Sequence, residues 1–331
     1  MFRRIIFALA SLAASVCFVL VIARAHYAPA ATQPASEAPA EPQAAGAVPP
    51  QHKNFIPVAG RALDARLEEA VRRGRAASPR APFWAAYSFD VREGVSVDVW
   101  LNPGQGPRQI FSAGPNVSLD PAYETRNLGV FLLYDPGSAA PTKVEVYNLE
   151  TRKEFGGHPV YWLGHAEAGE SMRLLQPLTR AGAAEEVAAP SAVIIALHKD
   201  RGVGAILEDV IRQTDSDEVR DKALLWLAQV PGENGFLAEV ARDARQSLAV
   251  RKQAVYAIGV SKEVGAVPEL ERLYDAADEW ELKKQIIFAA SIHRNEEPKL
   301  RFLRRIAESD PDAHARKEAT FWLSNQTGAK K

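Results

Sequence analysis

The sequence predicts a multidomain α+β protein: an N-terminal membrane helix or export signal, a small antiparallel β-sandwich or barrel, and a C-terminal α-solenoid of helix pairs. Three observations predict it. A charge-free apolar run, Ile5 to Ala23, opens the chain. Short alternating runs punctuated by Gly, Pro and Asn fill about residues 82 to 176. A helical unit that begins at Val219 then returns at Val250, Leu282 and Ala315, and a period in that range signals units that bury their apolar faces only by stacking on neighbours.

The first run defines the fate of the chain. About 19 apolar residues are enough to span a bilayer and exceed a typical signal core, which favours a retained anchor over residues 1–25. Ala23-Arg24-Ala25 also offers a small-x-small cleavage pattern. Arg3 and Arg4 place the N-terminus in the cytoplasm. The expected location is therefore the bacterial inner membrane, single-pass, with the C-terminal part periplasmic, or secreted to the periplasm if the signal is cleaved.

Residues 26–57 hold spaced prolines among Ala and Gln and have almost nothing to bury, so they read as an extended, disordered linker. Residues 58–77 put Leu63, Leu67, Ala70 and Val71 on one side, an amphipathic helix ending near Gly74 whose stripe packs on the domain that follows.

Residues 78–185 contain FWAAYSFDV, GVSVDVWL, NLGVFLLYD, KVEVYNLE, PVYWLGHA and ESMRLLQ, which read as about six strands. In GVSVDVWL, Val95, Val97 and Val99 alternate with Ser96, Asp98 and Trp100, the pattern of one buried and one exposed face. A sandwich or barrel closes such a set of strands.

Residues 190–331 are helical. VRDKALLWLA, VRKQAVYAIG, LKKQIIFAAS and ARKEATFWLS align without gaps, and the first three are each followed by a second helical segment. A weaker unit, SAVIIALH from Ser191, precedes them. The acids of DSDE before Val219 and of DPDA before Ala315, the latter with a first-turn proline, read as helix caps. This motif, Asp-x-Val-Arg-x-x-Ala-x-x-Trp-Leu-Ala from Asp217 to Ala228 and its variants, resembles the short bacterial form of the HEAT repeat. Lys283, Leu282 and Ala315 depart from its usual residues. The whole layout resembles exported, membrane-anchored bacterial HEAT-repeat proteins. The resemblance implies an α-solenoid that takes part in protein interaction, and it carries over no catalytic residue.

Helical geometry divides the motif in two. Val219, Ala223, Trp226 and Leu227 fall in one arc, as do Val250, Ala254, Ala257 and Ile258, then Leu282, Ile286, Ala289 and Ala290, then Ala315, Ala319, Trp322 and Leu323, and these read as core. Leu225, Tyr256, Phe288 and Phe321 point roughly 150° away. With Gln253 and Gln285 beside them they make a candidate partner-binding stripe on the inner helices. The competing reading is that neighbouring units bury this stripe.

Composition excludes several classes. With 331 residues, 47% hydrophobic and 24% charged, the chain suits two ordinary domains, and a net charge of -1 gives no global field for nucleic acid. Cys17 is the sole cysteine, so nothing after it supplies a disulfide, a thiolate nucleophile or a Cys-ligated zinc. No GxSxG elbow, P-loop or HExxH occurs. His158 and His165 stand an odd seven residues apart around one strand, and His198 has Asp200 but no nucleophile motif. The expectation is a non-enzymatic scaffold without cofactor, metal or nucleic acid, whose protein partner is unknown. An alternative places function in the β-domain, as a cell-envelope glycan binder stacking sugars on Trp84, Trp100, Tyr147 and Trp162.

Overall fold

A computed structural model describes residues 49, 52–93, 95–97, 111–112, 116–118, 125–180 and 182–328. The apolar N-terminal run, most of the linker and Trp100 lie outside them. Among the described residues no helix is long and apolar enough to cross a membrane. They form two compact units: one ends at Phe236 and the other begins at Leu237.

The first unit is organised by strands β1 (Ile56–Pro57), β2 (Phe83–Phe89), β3 (Ser96–Val97), β4 (Phe111–Ser112), β5 (Asn116–Ser118), β6 (Leu128–Tyr134), β7 (Lys143–Asn148) and β8 (Val160–Ala166). They build an open five-stranded sheet in the order β1-β8-β2-β6-β7 and a three-stranded sheet β3-β5-β4. No barrel closes. The expected all-antiparallel pairing holds for β2, β6 and β7 but fails at β8, which runs parallel to both β1 and β2. The reason is the return path. From β7 the chain crosses to the far side of β2, and a parallel partner requires such a crossover. This crossover carries Leu149 and Phe155 over one face of the sheet, where they cover Trp84, Phe131 and Trp162 together with Phe55.

The opposite face is covered by helices. Helix α1 (Leu63–Ala77) buries Leu63, Arg66, Ala70 and Gly74, a stripe rotated from the expected one, since Leu67 and Val71 are only half-buried. Gly74 does not end the helix. A Cβ there would stand 2.5 Å from the Phe83 ring, so the glycine makes room for the sheet. Arg66 replaces an apolar residue in the stripe because its guanidinium donates to the carbonyls of Leu163 and His165 in β8.

ESMRLLQ is a helix, not a strand. Helix α2 (Ala168–Leu175) buries Ser171, Met172 and Leu175, a helical spacing built from strong helix formers. A 3-10 turn (Gln176–Thr179) follows. Then come α3 (Glu185–Leu197), α4 (Val203–Gln213) and α5 (Asp217–Leu227). Helix α3 starts before Pro190, which lies inside it, and Glu185 and Glu186 occupy its first turn, where carboxylates favour the helix dipole.

Next are α6 (Asn234–Arg242), α7 (Leu248–Val260), α8 (Ala266–Ala276), α9 (Trp280–Ile292), α10 (Glu296–Ser309) and α11 (Ala313–Gly328). The motif-bearing helices α3, α5, α7, α9 and α11 begin 31 to 33 residues apart. In the second unit α9 packs on both α7 and α11, while α8 and α10 form a second row. The caps differ in part from expectation. Ser216, not the acids beside it, accepts from the Val219 amide at 3.3 Å, and Ser247 accepts from the Val250 amide at the same distance. Asp312 does cap α11, accepting from the His314 amide at 2.8 Å, and Pro311 stands just outside that helix.

The motif core is buried at every expected position through Ala319, whereas Trp322 and Leu323 are half-buried. Helices α7 and α9 approach closely at Gly259, where a Cβ would meet Ala289 O at 2.7 Å and Ala289 Cα at 2.9 Å. In an exposed helix Gly→Ala stabilises by about 1 kcal/mol. Here backbone blocks the methyl, and overpacking costs about 1–3 kcal/mol. Gly259→Ala is therefore expected to lower the melting temperature of the full chain in a calorimetric scan, the opposite sign from an open helical site.

Candidate partner-binding face

Helices α7 and α9 each carry one ring outward from their packed side, and α11 carries two. Tyr256 and Phe288 lie parallel, 4° between planes and 6.3 Å between centroids. Trp322 continues the row 5.3 Å from Phe288, and Phe321 meets Trp322 edge-on at 5.1 Å. Tyr256, Phe288 and Trp322 are half-buried and Phe321 is 54% exposed. Their sequence neighbours Val255, Ala257, Ile287 and Ala289 are fully buried, so the row is a distinct face. Partial burial pushes the Tyr256 hydroxyl pKa up, because desolvation disfavours the phenolate.

Gln253 and Gln285, one turn before the rings, are half-buried, as are Val260 and Ile292 one turn after them. The structure thus brings Gln253, Tyr256, Gln285, Phe288 and Phe321 onto one surface. Leu225 is half-buried too, but it belongs to the other compact unit. Trp322 is the residue that sequence reasoning misplaced. Its angle assigned it to the core, yet it joins the row and donates through Nε1 to Glu318 at 2.9 Å. Among the described residues no helix packs beyond α11, so the core column is half open there.

A second cluster lies inside the first unit. His198 Nδ1–H donates to Ile194 O at 2.8 Å, which leaves Nε2 to accept from the Ser171 hydroxyl at 2.8 Å. Ser171 Oγ in turn accepts from the Tyr87 hydroxyl at 2.9 Å. No motif announced this Ser–His contact, because Ser171 sits in a segment whose pattern reads as a strand. It lacks the carboxylate of a triad at Nδ1, and Tyr87 and Ser171 are 0% and His198 2% exposed. Phe89 stacks on the imidazole at 4.2 Å. The chain of hydroxyls ties β2, α2 and α3 together in a sealed site.

Three of the four sugar-platform residues lie among the described residues. Of these, Trp84 and Trp162 are in the aromatic core and Tyr147 keeps partial exposure, with Lys153 over its ring at 4.8 Å. His165 approaches Asp90 at 3.7 Å and Ser88 at 3.3 Å. Among the described residues no group of three His, Cys, Asp or Glu is placed to hold a metal ion. No protein-family model matches this chain, and no curated protein matches it in sequence.

Two measurements follow from these placements. Phe288→Ala is expected to cost under about half as much unfolding free energy as Ile287→Ala, since a fully buried aliphatic truncation costs about 2–5 kcal/mol; denaturant midpoints compare them. Burial holds the His198 pKa down at about 4, against 6.5 for a free imidazole. The unfolded chain therefore binds a proton that the folded chain refuses between those values. Stability from this group is full above about pH 6.5 and declines as pH falls toward 4, by about 3 kcal/mol in total. Denaturant unfolding across that range should show a steep acid limb, and His198→Gln should flatten it.

Proposed function

We propose that this chain is a non-enzymatic scaffold whose C-terminal helices form a HEAT-type α-solenoid and bind a protein partner through the face of Tyr256, Phe288 and Phe321. In this reading the N-terminal segment anchors the protein in the bacterial inner membrane, with the remainder in the periplasm, or releases it there after cleavage. The regular start of α3, α5, α7, α9 and α11, 31 to 33 residues apart, supports the repeat assignment. The observation that carries the binding assignment is the row of parallel and edge-on rings left half-open while the residues on either side of Tyr256 and Phe288 are sealed. Aromatic rings supply large contact area at low cost in side-chain entropy, which suits them to interfaces. Gln253 and Gln285 add adaptable donors and acceptors at the rim.

The test is a photo-cross-linking residue in place of Gln285, in the full chain expressed in cells. A discrete adduct is expected with the otherwise native chain. It should vanish when Tyr256→Ala and Phe288→Ala are added, with helical circular dichroism unchanged. An adduct that survives both truncations, or loss of helical signal on making them, would show that the rings serve packing alone.

A further inference from the structure

We propose that this face receives an extended peptide segment in which carboxylates alternate with apolar side chains. The inference rests on the reading of the face as a partner surface and adds the chemistry of the partner.

Lys252, Lys284 and Lys317 each precede a ring of the row by four residues, so they share its face one turn away. Helices α7, α9 and α11 thus present two parallel columns, one cationic and one aromatic. Lys284 and Lys317 are exposed and make no ion pair among the described residues. Lys252 stands 3.8 Å from Glu281, whose carboxylate is itself well exposed. The other acid on this surface, Glu318, accepts from Trp322. Three lysines against these two acids leave the surface net positive. Apolar residues complete the opposite edge at Val260 and Ile292.

The spacings fit an extended chain. Four residues advance about 6 Å along a helix, which separates the two columns. In an extended strand alternate side chains point to opposite sides and repeat every 6.6 to 6.8 Å or so, close to the 6.3 Å between Tyr256 and Phe288. Laid across α7, α9 and α11, such a chain directs one set of side chains to the lysines and the other to the rings. Its main chain then runs over Gln253 and Gln285, whose amides both donate and accept. Nucleic acid fits poorly: three lysines neutralise few phosphates, and the rest of the surface is uncharged or acidic.

The test uses a fluorescent ten-residue peptide of alternating glutamate and leucine, titrated into the purified full chain and followed by anisotropy. Saturable binding is expected, at least tenfold tighter than for alternating lysine and leucine. It should weaken at least tenfold in Lys284→Glu, Lys317→Glu, and that variant should now prefer the lysine–leucine peptide. Equal binding of the two peptides, or indifference to the charge reversal, overturns the proposal. So does tighter binding of a peptide of the same composition ordered to form an amphipathic helix. These outcomes are separable from failure of the parent reading. If the cellular adduct depends on Tyr256 and Phe288 while the glutamate–leucine peptide shows no preference, only the acidic chemistry is wrong.

Discussion

The close passage of α7 over α9 is the constraint on which the second unit depends. Gly259 lies against the backbone of Ala289, and Ala257 and Ala290 are fully buried nearby. Small residues let two backbones approach to a distance that larger side chains would forbid. That approach fixes the register of α9 on α7, and register decides which outward side chains meet. Tyr256 and Phe288 are parallel at 6.3 Å because the helices beneath them are held close. The proposed binding surface is in this sense a by-product of alanines and a glycine that never touch it.

The first unit depends on satisfied polar groups instead. Arg66 is buried in the seam between α1 and β8, and a guanidinium there is tolerable only with its hydrogen bonds made. It donates to two carbonyls of β8 and lies 3.6 Å from Glu170, whose other oxygen accepts from the Leu63 amide at the start of α1. Glu170 therefore caps one helix while belonging to another. Arg92 acts similarly, donating to Gln229 O at 2.5 Å and Ala196 O at 3.5 Å near the ends of α5 and α3. Each of these side chains joins elements distant in sequence, and none belongs to a recognisable motif.

The same logic accounts for the sealed Ser171–His198 contact. Hydroxyls and an imidazole inside a core must pair with one another or with backbone. The order Tyr87, Ser171, His198, Ile194 O satisfies every member in turn. A serine beside a histidine is then a structural joint, because burial removes both the substrate path and the basicity that nucleophilic chemistry requires.

Much was legible from the chain alone, for a physical reason. Repeat period and the core arc of Val250, Ala254, Ala257 and Ile258 express local geometry, which depends on residue spacing and little else. The outward placement of Tyr256 and Phe288 was readable in the same way. What sequence could not show were choices made between distant segments. The parallel entry of β8 follows from the crossover beyond β7, and the helical state of ESMRLLQ from the core that takes Met172 and Leu175. The turn of α1 toward Arg66 and Gly74 follows from carbonyls and a ring on strands far along the chain. Trp322 joined the ring row because among the described residues no helix packs beyond α11. Local spacing determined which faces are apolar; only packing decided which of them stay open, since openness depends on whatever else arrives.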